Sequence, residues 1–373
     1  MTERLKVLHI IVDDKFTNSL VKFFSFHKEF DCHYAIFAES DFNCTYLSKD
    51  IIKKINLAFL NNRNIDKNYF EQYSYIFIHS LKKVHVNFIN RNPNLNFVWI
   101  GMGFDYYDLV SIDLYEGYSK NFLDTYTERL KVMLGYKCYS IYRKKRAIEK
   151  ISYFSPVLSN EFELISNEFE HLKRLTFNYG GTAGFIDEVH RINENAADLL
   201  LGNSADPSNN HYEALKKLND IKFKGKIYIP LSYGNEKYKK SLINELVNFD
   251  LNIIVLEDFL SREEYFTILK SCRYVIMNHK RQQGAGNVVT MLSMGAEVYL
   301  NCNSLLYSFL LDQGVVVFET LDINEQVFPR SMSNSERVNN RKVIKKLFGS
   351  KTINANIRNI GIALRKKYKV SNW

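Results

Sequence analysis

Cysteine is too scarce and too scattered to hold this chain together. Its five copies, Cys32, Cys44, Cys138, Cys272 and Cys302, are odd in number, far apart and never arranged as CxxC. That argues against a disulfide framework and a cysteine zinc site, and it fits a reducing cytoplasm. Proline is equally rare, and sixteen glycines in 373 residues leave no room for long low-complexity linkers. No apolar run approaches the roughly 18 residues that span a bilayer. The first residues lead directly into a predicted strand, so no leader segment is expected.

What is present is the composition of a folded protein, 46% hydrophobic and 14% aromatic. The length suits two domains better than one core. Fifty basic against 41 acidic residues give a net charge of +9, a bias that suits nucleic acid, an anionic membrane or phosphorylated substrates.

Short apolar runs alternate with helical spacing along the whole chain, which predicts open parallel α/β sheets. Strands are predicted over residues 7–12, 32–37, 75–78, 96–100 and 151–154, with a helix over 17–26. A second series follows over 197–201, 226–229, 252–256, 274–277 and 297–300, with helices over 211–219 and 236–249. Ser261 and Glu264 read as a capping box for a helix running to Ser271. The domains are placed at residues 1–185 and 186–330, with helices over 331–373 as candidates to pack back on the first. In such sheets ligands meet polar residues just past the strands' carboxyl ends. Asp13, Asp14, His79 and Asp105 all hold that position.

Residues 273–301, RYVIMNHKRQQGAGNVVTMLSMGAEVYLN, read as strand, glycine loop, helix and strand. Such a unit points helix N-terminal amides past the end of its strand, and Lys280 and Arg281 add positive charge, so the natural guest is a phosphate or diphosphate. The bland alternative is a helix-opening turn with a solvated basic flank. A second strand, turn and helix at residues 197–219, with Gly202-Asn203-Ser204 in the turn, repeats the pattern. Residues 129–150 are rich in Lys and Arg interleaved with Leu, Met, Tyr and Ile, and Arg143, Lys144, Lys145 and Arg146 form the densest basic run. A helix of this kind suits an anionic membrane surface or, alternatively, an ordinary solvated face.

Residues 201–211, LGNSADPSNNH, and 281–286, RQQGAG, resemble the 4-acetamido-4,6-dideoxygalactosyltransferases of enterobacterial common antigen synthesis. The family resembled is the TDP-N-acetylfucosamine:lipid II N-acetylfucosaminyltransferase family, glycosyltransferase family 56; a related O-antigen or surface-polysaccharide transferase is an equal expectation. Trp99 with Gly103 and Asp105, His79, Pro230 with Tyr233, Glu257 with Phe259 and Leu260, and Asn301 match in the same order over most of the chain. The chain departs from the family at Asp13-Asp14, where a longer Gly- and His-containing loop is usual, and at Gly101-Met102. The donor half therefore matches better than the acceptor half.

The resemblance implies the GT-B architecture, two Rossmann-like domains facing across a cleft. It implies inverting transfer of a 4-acetamido-4,6-dideoxyhexose from a dTDP-sugar to an undecaprenyl-diphosphate-linked saccharide, at the cytoplasmic face of the inner membrane, as a peripheral protein. Arg281, Gly284, Gly286 and Asn287 would hold the leaving diphosphate, with Gly202, Asn203 and Ser204 as further donors to phosphate or sugar. Tyr233 belongs to the same nucleotide-sugar site, Glu257 would accept from the ribose, and Phe259 or Leu260 would bracket the base. Gln282 and Gln283 would read the sugar. The catalytic base is expected at Asp105, then His79, then Asp13 or Asp14. No metal and no cofactor are expected, since no DxD motif follows a predicted strand. A nucleotide-sugar epimerase of the same plan and a non-catalytic nucleotide-sugar-binding subunit are the rivals. Nucleic-acid binding is not expected, because many aromatics lie inside apolar strands and no nucleic-acid motif occurs.

Overall fold

The structure, a computed structural model, describes residues 4–39, 42–60, 67–110, 112–121, 136–193 and 195–370. It divides into two compact units. One comprises Met1–Ser111, Gly135–Gly181 and Gly349–Trp373; the other comprises Ile112–Leu134 and Thr182–Phe348. The chain thus changes unit after residues 111, 134, 181 and 348, where the sequence suggested a change near residue 185 and helices over 331–373 as candidates to pack back on the first domain. Residues 112–134 belong with the second unit, and the tail is shared: helix Asn334–Phe348 lies in the second unit and helix Ser350–Val370 in the first.

The first unit is a seven-stranded sheet, built from β1 (Leu5–Ile11), β2 (Phe30–Ile36), β3 (Ala58–Phe59), β4 (Tyr75–His79), β5 (Phe97–Ile100), β6 (Ile151–Ser155) and β7 (Lys173–Arg174). Its order is β3-β2-β1-β4-β5-β6-β7, with every pairing parallel. Each residue of β4 and β5 is buried, as expected where helices cover both faces of a parallel sheet. Helix Thr17–Phe24 contributes Leu20, Val21, Phe23 and Phe24 to that core, the spacing of a single apolar face. β3 and β7, two residues each, are too short to leave a periodic signal and were not legible in the sequence.

The second unit repeats the design with β8 (Asp198–Leu201), β9 (Lys226–Pro230), β10 (Asn252–Leu256), β11 (Cys272–Met277), β12 (Glu297–Leu300) and β13 (Phe318–Glu319). The order is β10-β9-β8-β11-β12-β13, again all parallel. In each sheet the winding reverses once, between β1 and β4 and between β8 and β11. At such a reversal the connecting segments leave towards opposite faces, which opens a crevice outside the strands' carboxyl ends. The predicted capping box is present: Glu264 N donates to Ser261 Oγ at 3.2 Å and Ser261 N to Glu264 Oε2 at 2.8 Å.

A buried carboxylate ties the second unit's helix Asn334–Phe348 to its sheet. Glu297, at the start of β12, is fully buried. It accepts from Arg273 of β11 at 3.2 Å, from Met332 N at 3.1 Å and from Arg337. Arg341 donates to the carbonyls of Ser293 and Met294 at 3.1 and 3.0 Å, capping the last turn of helix Ala285–Met294. Two guanidiniums therefore stand at the negative end of that helix dipole, since Arg337 also reaches Gly295 O. Removing Glu297 strands two cations that have already given up part of their hydration. Glu297→Ala is expected to destabilise the protein by about 3 kcal/mol, near the low end for a broken buried pair because both arginines keep some solvent contact. Urea unfolding of the two proteins checks this, and a change under about 1 kcal/mol would show the network to be dispensable.

Candidate functional site

In the second unit the β8 and β11 loops interlock through one asparagine. Gly202 follows β8 with φ +68, and its N–H donates to Ile276 O of β11 at 2.9 Å. A Cβ there would lie 2.4 Å from His211 Nε2 and 2.7 Å from Asn209 Oδ1, so only glycine fits. Asn209 Oδ1 accepts from Asn203 N at 2.9 Å and from His279 Nε2 at 2.7 Å. Those contacts fix His279 as the Nε2–H tautomer, because a backbone N–H already marks that amide atom as oxygen. Burial, then the nearby Arg281 charge, holds His279 neutral with a value well below the usual histidine range. His211, which lies 2.9 Å from Tyr238 Oη, is likewise pushed down to about 3 by burial.

Around this hub the structure gathers most of the predicted donor-site residues. Arg281 Nε donates to Ser208 Oγ at 3.3 Å, and its Nη2 faces Asp206 Oδ2 at 3.6 Å, a loose contact that leaves guanidinium donors for an anion. Ser208 Oγ stands 2.6 Å from both Asp206 Oδ1 and Gln283 Oε1, and its single proton serves one of them at a time. Gln283 Nε2 reaches Asn203 Oδ1 at 3.2 Å and Ser204 Oγ at 3.3 Å. Gly284 is left-handed at φ +65 and opens helix Ala285–Met294. The helix's first turn has N–H groups without intrahelical partners, which is where an anion gains most. Gln282 is buried, at 6% exposure, so the expected reading of sugar by this side chain is not supported by its position.

The predicted base-binding residues lie beside this loop. The Tyr233 and Phe259 rings are nearly parallel, 8° apart with centroids 6.1 Å apart, and both are exposed. Asn203 Nδ2 donates to Tyr233 Oη at 3.1 Å, which links the aromatic pair to the glycine turn. Leu260 is exposed next to them. Asn287 shares a hydrogen bond with the half-buried Tyr265. Glu257 is paired with Lys239 at 3.1 Å, so a ribose hydroxyl would have to share its carboxylate.

The first unit overturns the first choice of base. Asp105 is buried, and its oxygens accept from Trp99 Nε1 at 2.8 Å, Leu81 N at 2.9 Å and Met102 N at 2.8 Å. It staples three segments together and presents nothing to a substrate; burial pushes its value up despite those bonds. Asp13 is also a staple, accepting from Thr45 N, Tyr46 N at 3.0 Å and Leu47 N at 3.1 Å. Asp14 binds Phe16 N at 2.8 Å, and burial raises its value. His79 is placed differently. Its Nε2 lies 3.0 Å from His9 Nδ1 across the β1–β4 reversal, and its Nδ1 lies 2.9 Å from Tyr179 Oη. Burial keeps both imidazoles neutral, with His9 pushed down to about 3. Tyr179 is half-buried and is the outermost member of this row. His9 and Tyr179 were not among the sequence candidates, although a histidine inside an apolar strand was a signal.

The basic run is less available than its sequence suggested. Residues 129–135 lie outside the described residues. In helix Tyr136–Ile148, Lys144 turns inward to Asp108 at 2.6 Å and the Asp105 carbonyl at 3.1 Å, and Lys145 is held close to Glu168 at 2.5 Å. Arg143 and Arg146 lie over the exposed rings of Tyr139 and Tyr142, at 5.8 and 6.0 Å. No helix among the described residues is long and apolar enough to cross a membrane.

Sequence reasoning also missed Glu161, which is fully buried and accepts from Tyr106 Oη at 2.8 Å, Tyr107 Oη at 2.7 Å and Leu158 N at 2.9 Å. Burial outweighs those bonds and pushes its carboxyl up to about 7. A value raised in the folded state means that folding favours the protonated acid. Its contribution is full below about pH 4.5 and is lost as the pH rises through about 7. Relative to Glu161→Gln, wild-type stability is expected to fall by about 3 kcal/mol between about pH 4 and about pH 8. Urea unfolding at both ends of that range tests it, and parallel profiles would contradict it.

Comparison with known proteins agrees with this geometry. Residues 182–352 match the model of a family described as 4-alpha-L-fucosyltransferase glycosyl transferase group 56. The fold resembles a sucrose-phosphate synthase from Thermosynechococcus elongatus, with TM-score 0.63, 9% identity, and coverage of 98% of this chain and 100% of that one. It also resembles Anabaena HepE in complex with UDP and glucose, with TM-score 0.63, 13% identity, and coverage of 96% and 99%. An alpha,alpha-trehalose 6-phosphate synthase from Burkholderia multivorans gives TM-score 0.63 at 7% identity, covering 100% and 99%. At such identities the likeness shows the fold alone. The chain is a glycosyltransferase with the two parallel-sheet α/β domains of the GT-B fold, and its residues 182–352 match the model of glycosyl transferase group 56.

Proposed function

We propose that this protein is an inverting, metal-independent transferase that moves a 4-acetamido-4,6-dideoxyhexose from a dTDP-sugar to a polyprenyl-diphosphate-linked saccharide in bacterial surface-polysaccharide synthesis. The observation that carries the reading is the β8–β11 reversal. There Arg281, the Gly284 turn and the first turn of helix Ala285–Met294 meet the turn formed by Gly202, Asn203 and Ser204. Fixed donors at that point stabilise the negative charge that grows on the diphosphate as the glycosidic bond breaks. The Tyr233–Phe259 pair offers flat apolar surface for the base.

Displacement needs one base. With Asp105 committed to the fold, the reading assigns that role to the row ending at Tyr179. The acceptor hydroxyl passes its proton to the Tyr179 oxygen while Tyr179 passes its own to His79 Nδ1. The acceptor oxygen bonds the anomeric carbon, and the nucleoside diphosphate leaves with the electron pair. His9, across a 3.0 Å contact, shares the charge on His79. The exposed Tyr139 and Tyr142 with Arg143 and Arg146 support a peripheral position on an anionic leaflet, here taken as the cytoplasmic face of the inner membrane.

Calorimetry with dTDP, UDP, GDP and CMP, each with and without EDTA, tests the donor site. Binding of dTDP or UDP that is unaffected by EDTA and weakened about 10- to 100-fold in Arg281→Ala is the expected result. A wild-type protein that responds to none of the four would remove the diphosphate reading.

A further inference from the structure

Residues 112–121 come from the first half of the sequence but are folded into the second unit. Their seat is specific. Asn210 is fully buried, left-handed at φ +48, and its side chain does not cap the helix that it precedes. Its Oδ1 accepts from Glu116 N at 2.9 Å and its Nδ2 lies 3.3 Å from Leu114 O, so one amide pairs with this segment's backbone as a neighbouring strand would. The same Nδ2 reaches Asn278 O, just past β11, at 3.0 Å. Glu213 receives Tyr118 N at 2.8 Å and Ser119 N and Oγ at 3.2 Å. The Tyr118 ring stacks on Tyr212 with centroids 4.1 Å apart.

The seat delivers Glu116 to the carboxyl ends of β11 and β12. Its Oε1 lies 3.3 Å from Asn301 Nδ2, and Asn301 is itself held to Asn278 Oδ1 at 2.9 Å. Among the described residues this is the only side-chain hydrogen bond of Glu116, and no Lys or Arg is paired with it. A half-buried carboxylate has roughly four acceptor positions, and Asn301 takes one of them. Its neighbours are accounted for: Glu213 is filled by this segment, and Asp206 by Ser208 and Arg281. Glu116 therefore stands at the ligand edge of the sheet with acceptor capacity and, among the described residues, no paired cation. Such a group repels phosphate and suits a neutral donor.

We propose that Glu116 reads the sugar of the sugar nucleotide, its carboxylate accepting hydrogen bonds from hydroxyl groups of the bound hexose. This rests on the donor-site reading above and adds the sugar subsite to it. Residues 112–121 are then a working part of the donor site, with Asn210 and Glu213 as positioning residues.

Calorimetry with two matched pairs, UDP and UDP-glucose, dTDP and dTDP-glucose, separates sugar from diphosphate. Wild type is expected to bind a sugar nucleotide more tightly than its diphosphate. Glu116→Gln should weaken the sugar nucleotide about 10-fold or more and leave the diphosphate unchanged. Glutamine still accepts from Asn301, so an unchanged thermal midpoint confirms that the fold is kept. Glu213→Ala, which unseats the segment, should give the same selective loss with faster hydrogen exchange in residues 112–121. A wild type that gains nothing from the sugar, or a Glu116→Gln protein that keeps the gain, overturns the assignment to Glu116. Equal losses for diphosphate and sugar nucleotide overturn it as well, by making the residue structural. A wild type that binds neither diphosphate overturns the donor reading itself.

Discussion

A parallel strand cannot turn straight back into its neighbour; the chain must cross over one face of the sheet before it starts the next strand. Where two adjacent strands send their crossovers to opposite faces, no main chain fills the space past their ends. Each sheet of this protein has one such place. The chemistry described above follows from what the sequence supplies there. At the β8–β11 reversal it supplies glycines, asparagines and an arginine, and the result is a dense set of fixed hydrogen-bond donors. At the β1–β4 reversal it supplies histidines and tyrosine packed among aromatic rings, and the result is a row of hydrogen-bonded neutral groups.

The two places differ in how they treat charge. The second unit concentrates positive potential at the start of helix Ala285–Met294 and anchors the other end with Arg337 and Arg341. That helix is held at its carboxyl end by polar contacts with both arginines, while its N-terminal end carries no side-chain cap. In the first unit, burial works the other way. His9 and His79 are held uncharged and Glu161 is driven towards its protonated form. Burial disfavours the imidazolium, so both rings stay unprotonated at neutral pH.

Much of this was legible in the sequence because parallel strands are buried on both faces and read as unbroken apolar runs. The five longest strands of the second unit, the capping box at Ser261 and the glycine turn before Ala285 all carry local signals of that kind. What was not legible depends on which strands lie side by side. Asp105 follows a strand like a catalytic residue, but Trp99 Nε1 and two backbone amides consume it, and that burial has no local signature. His9 and His79 are 70 residues apart and meet only because β1 lies beside β4. Lys144 looks like one cation of a surface run until the helix phase turns it towards Asp108. Glu116 was passed over because its segment sits in the half of the sequence opposite to the sheet it joins.

The four changes of unit along the chain also set an order of assembly. Residues 112–121 leave the ribosome before any strand of the unit to which they belong, and the first unit lacks helix Ser350–Val370 until residues 182–348 have been made. Tyr75 Oη waits for the carbonyl of Leu364, and Asn210 emerges to find its partner segment already waiting. Neither unit can therefore be completed during synthesis in the usual sequence of first domain and then second. Completion of the first unit is tied to helix Ser350–Val370, so that a chain interrupted midway yields neither half in finished form.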